Sequence, residues 1–328
     1  MSEPLISLEH VNRTFMVKGQ TIKAVNDINL NISAGDILCL VGESGCGKTT
    51  TGKMIAGLLP TSSGRILYRG KDIATIKHSE RKEYRLGVQM VHQDPYASLN
   101  PIQTVYQTLA APLQHHSFTR GETETKRRVR ELLEIVDLSP PDDFFEKYPH
   151  QLSGGQRQRV SVARALTVHP KFIVADEAVS MVDVSIRISL LKMFTRLKDE
   201  MGVGVLLITH DLALAKYFAW DGRIGVMYLG RIVEIGPARE VVGHPQHPYT
   251  QVLLSAIPEA DPEVTRTKQR IELRSTDMPS LLRLPSGCTF HPRCPFFAGE
   301  VCEKVVPPLK KGNWGSDVAC HLVQVNEP

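Results

Sequence analysis

The sequence lacks any long hydrophobic run. Its longest apolar runs, such as GVGVLLI at residues 202–208, are far shorter than the roughly 20 residues that a membrane-spanning helix needs. The N-terminal residues MSEPLISLEHVNRTF also lack the basic and then apolar segments that form a secretory signal peptide. We therefore expect a protein of the reducing cytosol that associates with any membrane only peripherally.

A large excess of one charge is also missing. The formal net charge is +4 over 328 residues, and the basic stretch KRRVR at residues 126–130 is typical of a solvated helix face. We therefore expect no nucleic-acid partner. The 42% of hydrophobic residues is enough for a globular chain with one large core and a second, small domain.

The sequence does contain apolar strands that end in glycine or polar residues. Residues 28–33, INLNIS, alternate apolar and polar side chains, which predicts a half-buried strand. Residues 35–50, GDILCLVGESGCGKTT, predict a buried strand and a glycine-rich loop, and the apolar spacing that follows predicts a helix as far as Leu58. The order strand, loop and helix is the context of a phosphate-binding loop.

The loop also has the residue types that phosphate binding requires. Small residues let backbone N–H groups surround a phosphate at the helix N-terminus, Lys48 would neutralise the β- and γ-phosphates, and Thr49 would hold Mg²⁺. An ordinary glycine-rich turn is the alternative, which the strand and helix context disfavours. The predicted nucleotide-binding residues of the loop are Gly42, Glu43, Ser44, Gly45, Cys46, Gly47, Lys48, Thr49 and Thr50.

Two further predicted strands end in polar side chains. FIVADE, residues 172–177, ends in two carboxylates, of which Asp176 would reach Mg²⁺ through its water shell and Glu177 would act as general base. GVGVLLITHD, residues 202–211, places His210 where it could contact the γ-phosphate as a catalytic residue. The alternatives are two solvated charges and a histidine with an ordinary polar partner.

The segment LSGGQ, residues 152–156, predicts the start of a helix. Ser153 is suited to cap this helix, Gly154 and Gly155 permit close backbone approach, and the apolar residues between 160 and 166 would form its buried face. An exposed helix N-terminus of this kind attracts an anion. Together with the loop and the carboxylates, the segment resembles the signature of the ATP-binding cassette (ABC) ATPases.

The resemblance implies an α/β fold with a P-loop NTPase core, an N-terminal antiparallel β subdomain and a helical signature subdomain at about residues 94–168. It implies ATP and Mg²⁺ as cofactors, held between two ATPase subunits that are either identical or paralogous. The resemblance also adds site residues: Gln93 would contact Mg²⁺ and the attacking water, and Asp183 would make a contact across the dimer. Phe15 would be the aromatic residue that stacks on adenine, or else a plain strand residue. The partner's γ-phosphate would be bound by Ser153, Gly154, Gly155 and Gln156.

Two positions depart from the family pattern. After the catalytic carboxylate the family usually has proline and then a Thr-Ser-Ala-Leu-Asp run, whereas this chain reads AVSMVD at residues 178–183. Because Ala178 lacks the fixed φ of proline, the geometry and cross-dimer signalling of this turn are open. His92 stands where an aromatic residue is frequent.

Three other segments resemble the oligopeptide and dipeptide importer branch of the family: QDPYASLNP at residues 93–101, HPQHPYTQVLLSAIP at 244–258 and HPRCP at 291–295. The branch implies an ATP-hydrolysing subunit on the cytoplasmic face of the membrane, with two transmembrane permease subunits and an extracytoplasmic solute-binding protein. Peptide is the leading cargo, and an oligosaccharide such as a β-glucoside or nickel is the alternative. A non-transport ABC ATPase is a third interpretation, which the single cassette without a long heptad array disfavours.

The resemblance assigns residues 1–255 to the ATP-binding domain, and composition predicts a polar linker at 256–270 and a small cysteine-rich domain at 271–328. That last domain contains Cys288, Cys294, Cys302 and Cys320, separated by five, seven and seventeen residues. Four thiols in a reducing compartment suggest a metal, although the spacing matches neither a usual zinc knuckle nor a common ferredoxin. The resemblance favours a 4Fe-4S cluster remote from ATP, with zinc or unligated thiols as alternatives.

Overall fold

The computed structural model describes residues 3–257 and 270–323. Among these residues the strands form two sheets, one of four strands in the order β2-β1-β4-β5 and one of eight in the order β11-β12-β10-β9-β3-β8-β7-β6. The strands are β1 (Ile6–Val17), β2 (Gln20–Ile32), β3 (Ile37–Val41), β4 (Ser63–Tyr68), β5 (Lys71–Asp72), β6 (Val88–Val91), β7 (Phe172–Asp176), β8 (Gly204–Thr209), β9 (Arg223–Tyr228), β10 (Arg231–Pro237), β11 (Lys310–Lys311) and β12 (Asp317–Val318).

The two sheets differ in strand direction. The four-stranded sheet is antiparallel throughout, whereas β9, β3, β8, β7 and β6 form a parallel block within the larger sheet. Parallel strands need long crossovers, which helices normally supply. The helices are α1 (Lys48–Ile55), α2 (His78–Gly87), α3 (Pro95–Ser98), α4 (Val105–His115), α5 (Gly121–Ile135), α6 (Asp142–Phe145), α7 (Gly154–Leu166), α8 (Val184–Met201), α9 (Leu212–Phe218), α10 (Ala238–Gly243), α11 (Pro248–Ser255) and α12 (Glu300–Lys304).

The central strand β3 separates two hydrophobic clusters. Its side chains alternate between the faces of the sheet, as strand geometry requires: Leu38 and Leu40 join the cluster beneath the antiparallel sheet, and Cys39 and Val41 join the larger cluster on the opposite face. All four are fully buried. A parallel strand that is covered on both faces has an almost continuous run of apolar residues. The run ILCLV therefore predicts a buried strand.

The segment between β6 and β7 is helical, with α3 to α7 and a 3₁₀ turn at Pro149–Gln151. Its core consists of apolar side chains from α4, α5 and α7, including the buried Leu109, Leu132 and Val160. The basic stretch at residues 126–130 lies on α5, where Lys126 and Arg127 pair with glutamates one turn away. No helix in the described ranges is both long and apolar enough to cross a bilayer.

Helix α1 is shorter than its apolar spacing predicts. It ends at Ile55, and Gly57 has a φ of +68°, a left-handed value that glycine adopts without steric cost. Leu58, which the sequence places on the same apolar face, therefore lies beyond the helix and is 59% exposed. The predicted extension of the helix to Leu58 is wrong for this reason.

The C-terminal segment packs directly on the ATP-binding part of the chain. Strand β12 pairs with β10, and Phe290 is fully buried against the rings of Tyr228 and Tyr249. The buried Glu234 of β10 accepts hydrogen bonds from the backbone N–H groups of residues 246 and 247 and from the hydroxyl of Ser316. The predicted linker lies almost wholly outside the described residues, and the domain boundaries stay a prediction.

Candidate nucleotide-binding site

The predicted catalytic groups meet at one edge of the parallel sheet. Strands β3, β6, β7 and β8 run in the same direction, so their carboxyl ends open onto a common crevice, where ligands bind in open α/β sheets. The groups that follow these ends are the glycine-rich loop after β3, Gln93 after β6, Asp176 and Glu177 at the end of β7, and His210 after β8.

The glycine-rich loop has the backbone conformation that its glycines allow. Gly42 has a φ of +150° and Gly47 a φ of +106°, values that L side chains rarely adopt. A Cβ atom would also collide with the carbonyl of Met227 at the first position and with that of Ala24 at the second. Ser44 and Gly45, at the tip of the loop, are exposed. The loop can therefore present its N–H groups to an anion.

Lys48 points back along the loop that precedes it. Its ammonium group donates hydrogen bonds to the carbonyls of Gly42, at 2.7 Å, and Glu43, at 2.9 Å. The residue is 5% exposed, and burial of a lysine is tolerated where such partners exist. Its charge lies 3.7 Å from Cys46 Sγ, and burial raises the pKa of that thiol although Lys48 opposes the shift.

Thr49 and Asp176 form the candidate magnesium site. The Thr49 hydroxyl donates to Asp176 Oδ1 at 2.8 Å, joining the first turn of α1 to the end of β7. Hydroxyl and carboxylate oxygens are ligands that Mg²⁺ prefers, so these residues fit the ion. Burial raises the pKa of Asp176, the Thr49 hydroxyl lowers it and Glu177 raises it again, a shift that a bound cation would reverse.

Glu177 lies between two predicted catalytic partners. Gln93 Nε2 donates to Glu177 Oε2 at 2.8 Å, and His210 Nδ1 lies 3.4 Å from the other carboxylate oxygen. The backbone of Glu177 has a φ of +46°, which is uncommon outside glycine and occurs at active sites where the surrounding structure enforces it. Its N–H donates to the carbonyl of Ile208 on β8 at 3.0 Å.

The variant turn that follows Glu177 is closed by serine instead of being stiffened by proline. Ser180 donates to the Glu177 carbonyl through its backbone N–H at 3.0 Å and its hydroxyl at 2.8 Å. Ala178 and Val179 are buried in the larger hydrophobic cluster. The turn is thus held by hydrogen bonds and packing, and it ends at the exposed Asp183, the N-cap position of α8.

Two family models match the sequence, one for ABC transporters over residues 25–180 and one for the C-terminal region of oligopeptide/dipeptide transporters over residues 233–302. The putative oligopeptide transport ATP-binding protein YkfD of Bacillus subtilis is 42% identical over 97% of this chain and 95% of its own length. The chain belongs to the ABC ATPases of the oligopeptide/dipeptide transporter branch. The oligopeptide transport ATP-binding protein OppF of Haemophilus influenzae is 41% identical, with 97% of both chains covered.

Solved structures show the same ABC ATPase fold. CbiO1 of Clostridium perfringens, part of the transporter complex CbiONQ, matches with a TM-score of 0.64 and 27% identity over 74% of this chain and 92% of its own. The cassette MJ0796, in a dimeric post-hydrolysis state with ADP and Pi, matches with a TM-score of 0.63 and 28% identity over 71% of this chain and 99% of its own. As an ABC ATPase, the chain is an ATP-hydrolysing enzyme.

The signature segment of this ABC ATPase has a fully formed N-terminal cap. Ser153 Oγ accepts from the N–H of Gln156 at 3.2 Å, and Gln156 Oε1 accepts from the N–H of Ser153 at 2.9 Å, which is a capping box. Gly155 is buried against Ile186 of α8, where a Cβ would lie 2.6 Å from its side chain. Ser153 itself is exposed, so the N-terminus of α7 opens outward.

The structure places Phe15 near the hairpin between β1 and β2, paired with Ile22. Its ring is half-buried, and the guanidinium of Arg13 lies 4.7 Å from the ring centre. The stacking of Phe15 on adenine stays a prediction, as does the role of Asp183 across a dimer. His92 is half-buried, and desolvation lowers the pKa of its imidazole; nothing in the structure explains its choice over an aromatic residue.

The four C-terminal cysteines converge on one another. The pKa of Cys288 is raised to about 11, chiefly by burial and to a smaller extent by the thiols of Cys320, Cys302 and Cys294. Burial and two of these neighbours also raise the pKa of Cys294 to about 11. Within the described residues, however, no three His, Cys, Asp or Glu side chains are grouped so that they could hold one metal ion. The cysteines share a site, but their arrangement does not identify a metal.

The cysteine segment contacts the glycine-rich loop through one of its residues, while the position of a cluster remote from ATP stays a prediction. Arg293, next to Cys294, donates to both carboxylate oxygens of Glu43 in the glycine-rich loop, at 2.8 and 3.0 Å. The hydroxyl of Tyr249 accepts from the N–H of Glu43 at 3.0 Å. Sequence reasoning assigned no site role to Arg293 or Tyr249, although both lie in the segments HPRCP and HPQHPY that mark the branch.

Proposed function

We propose that the chain is the ATP-hydrolysing subunit of a membrane importer for oligopeptides or dipeptides and works on the cytoplasmic face of the membrane. The observation that carries the proposal is the joint convergence of Thr49 with Asp176 and of Gln93 with Glu177 at one sheet edge. The relatives over almost the full chain, named as oligopeptide transport ATP-binding proteins, support the peptide cargo.

The phosphates of ATP bind in the glycine-rich loop. The N–H groups at the start of α1 and the Lys48 ammonium face them, after Lys48 releases the carbonyls of Gly42 and Glu43. Thr49 and Asp176 would hold Mg²⁺, which would supply electrostatic stabilisation of the charge that develops on the phosphate oxygens. The raised pKa of Asp176 returns toward its ordinary range when a cation lies beside the carboxylate.

Glu177 is the general base of the proposed hydrolysis. It is 19% exposed at its side chain, so it reaches a water while still being held by the protein. Gln93 donates to one carboxylate oxygen and fixes the orientation of the other toward the attacking water. His210 lies beside that second oxygen and contacts the γ-phosphate. Each group needs the others in place, because water attack requires simultaneous positioning of base and phosphate.

A second ATPase subunit completes each nucleotide site. The outward-facing cap of α7, built from Ser153 and Gln156, binds the γ-phosphate held by the loop of the partner subunit. The dimeric cassette structure among the fold relatives supports this arrangement. The partner is a second copy or a paralogue, and Asp183, exposed at the start of α8, contacts it.

The permease subunits dock on a basic groove between α2, α4 and α7. The groove has a volume of about 750 Å³, and it is lined by His78, Lys82, Arg85 and Arg164 among others. It also includes Gln89 and Met90 of β6, the strand that leads to Gln93. Because its rim is basic, an acidic cytoplasmic segment of a permease is the complementary partner, and its docking reaches the catalytic site through β6.

The four cysteines bind the proposed 4Fe-4S cluster, with zinc as the alternative. Their mutual effect on thiol pKa values supports cysteines that lie near one another. Iron and sulfide analysis of anaerobically purified protein tests this assignment, and one zinc per chain without iron would replace it.

Purification of the complete membrane complex tests the proposed function. Native mass measurement should find two ATPase subunits with two permeases, and the complex in proteoliposomes should hydrolyse ATP faster when a peptide-loaded solute-binding protein is added. Stimulation only by an oligosaccharide-loaded or nickel-loaded binding protein would change the cargo. An active ATPase that co-purifies with no membrane protein would refute the transport role.

A further inference from the structure

The glycine-rich loop is held from outside the core by two residues of the C-terminal half of the chain. The carboxylate of Glu43 makes a bidentate pair with Arg293 at 2.8 and 3.0 Å, and its N–H donates to the Tyr249 hydroxyl at 3.0 Å. Its carbonyl accepts from Lys48 at 2.9 Å. The side chain and the N–H of this one loop residue are therefore both held by residues from outside the loop.

The residues that hold Glu43 are themselves immobilised. Tyr228, Tyr249 and Phe290 are fully buried, with ring centres 4.7 to 5.3 Å apart. Arg293 is 6% exposed, its carbonyl accepts from the N–H of Arg274, and its guanidinium lies over the Tyr228 ring. Side chains locked by packing in this way hold a site residue more accurately than a mobile loop can.

The ion pair between Arg293 and Glu43 affects the charge that ATP meets in the loop. The loop receives a polyanion, and the carboxylate of Glu43 on that loop would repel it. Arg293 places a cation on that carboxylate in bidentate geometry, the strongest form of such a pair. An arginine guanidinium stays protonated in proteins, so Arg293 keeps its positive charge beside the carboxylate.

We propose that Arg293 is a positioning residue for ATP: it neutralises the Glu43 carboxylate, which would otherwise repel the phosphates, while Tyr249 holds the N–H of the same residue. The C-terminal segment then contributes to nucleotide affinity, in addition to whatever its cysteines bind. Arg293 directly precedes Cys294, so a change at the cysteines reaches the loop through one residue. This inference rests on the proposed ATP hydrolysis.

Steady-state kinetics of the purified complex tests the proposal. Arg293→Met keeps much of the side-chain length and removes the charge; we expect KM for MgATP to rise about tenfold, the loss typical of an uncompensated charge near a binding site, with kcat changed less than about threefold. Adding Glu43→Gln to Arg293→Met should return KM to within about threefold of the wild type, because it removes the unpaired carboxylate. Arg274→Met, whose guanidinium lies over the Phe297 ring, is the matched control and should leave KM unchanged.

Two results would overturn the proposal. One is a KM of Arg293→Met within about twofold of the wild type. The other is a KM that is raised in Arg293→Met and equally raised when Glu43→Gln is added, because that result indicates a damaged fold and not an unpaired carboxylate. If Arg293→Met does not fold, the single variant Glu43→Gln tests the proposal. It leaves Arg293 as an unpaired cation beside the loop, so KM for MgATP should fall. An equal or higher KM would refute the proposed role of Arg293. A wild-type complex without ATP hydrolysis would instead refute the proposed function.

Discussion

Gln93 Nε2 donates a hydrogen bond of 2.8 Å to Glu177 Oε2, although the two residues are 84 positions apart in the chain. The contact forms because β6 and β7 are adjacent parallel strands, so the residues that follow their carboxyl ends are neighbours. Gln93 also follows the strand that lines the basic groove. One hydrogen bond thus connects the proposed general base with the surface on which a permease is proposed to dock.

Removing the proposed base should separate ATP binding from hydrolysis. Glu177→Gln keeps the shape and the contact with Gln93 but cannot accept the water proton, so we expect the rate of phosphate release to fall by about 10²- to 10⁴-fold while ATP still binds. The closed dimer should then accumulate with ATP. Glu200→Gln, an exposed residue of α8, is the control. Near-normal turnover of Glu177→Gln in the complex would exclude this role.

The magnesium requirement should depend on the contact between Thr49 and Asp176. Thr49→Val removes one oxygen ligand without a change in volume, and we expect the Mg²⁺ concentration for half-maximal activity to rise by about 10-fold or more, since a lost hydrogen-bonding ligand costs about 1.5–3 kcal/mol beside a charged group. Thr195→Val, which removes a hydroxyl that donates to the carbonyl of Leu191 in the same helix, is the control. Equal magnesium curves for the two variants would contradict the assignment.

A carboxylate at the signature helix should block hydrolysis without blocking the loop. In Gly154→Asp the new charge lies where the γ-phosphate of the partner's ATP is expected, so hydrolysis should be lost while the Kd for ATP of the isolated subunit stays within about threefold. If the partner is a second copy, mixing Gly154→Asp with Lys48→Ala should restore activity, because the hybrid retains one site with an intact loop and an intact signature. No recovery would indicate a paralogous partner.

Acid should destabilise the protein through His247. This buried residue accepts the N–H of Tyr249 at Nδ1, and burial lowers its pKa from 6.5 to about 3. Between these two pKa values the unfolded chain binds more protons than the folded one. The contribution of His247 to the free energy of unfolding is therefore fully present above pH 6.5, and below it this contribution is lost by about 1.4 kcal/mol per pH unit. Thermal melts from pH 7.5 to 5.5 should show this slope, and His247→Asn, still able to cap α11, should flatten it. An unchanged slope in His247→Asn would rule out this residue as the source.

Charge reversal in the basic groove should release the permeases. Lys82 and Arg85 are exposed on α2, and replacing both with glutamate should reduce co-purification of membrane subunits by at least about tenfold, as like-charge contacts at an interface are strongly unfavourable. ATP binding by the isolated subunit should be retained. Arg127→Glu on the solvated face of α5 serves as the control. Full recovery of the permeases with the double variant would place their docking surface elsewhere.

The parts of the fold that depend on neighbouring residues were predictable from the sequence. The glycine-rich loop is predicted to follow the buried strand, and it does so, with left-handed φ values at Gly42 and Gly47. Ser153 is predicted to cap a helix, and it does so as part of a capping box with Gln156. Asp176 and Glu177 follow a fully buried strand. In each case the interaction spans a few residues, so local periodicity and residue type are sufficient.

Contacts between distant segments were decided only by the tertiary structure. Arg293 and Glu43 are 250 residues apart, and no periodic pattern indicates that they pair. The addition of β12 to β10 and the closure of the variant turn by Ser180 also depend on which surfaces the folded chain brings together. The sequence therefore determined the family, the phosphate loop and the signature helix, because those are local. Only packing of the C-terminal segment against the loop revealed that this segment reaches the nucleotide site.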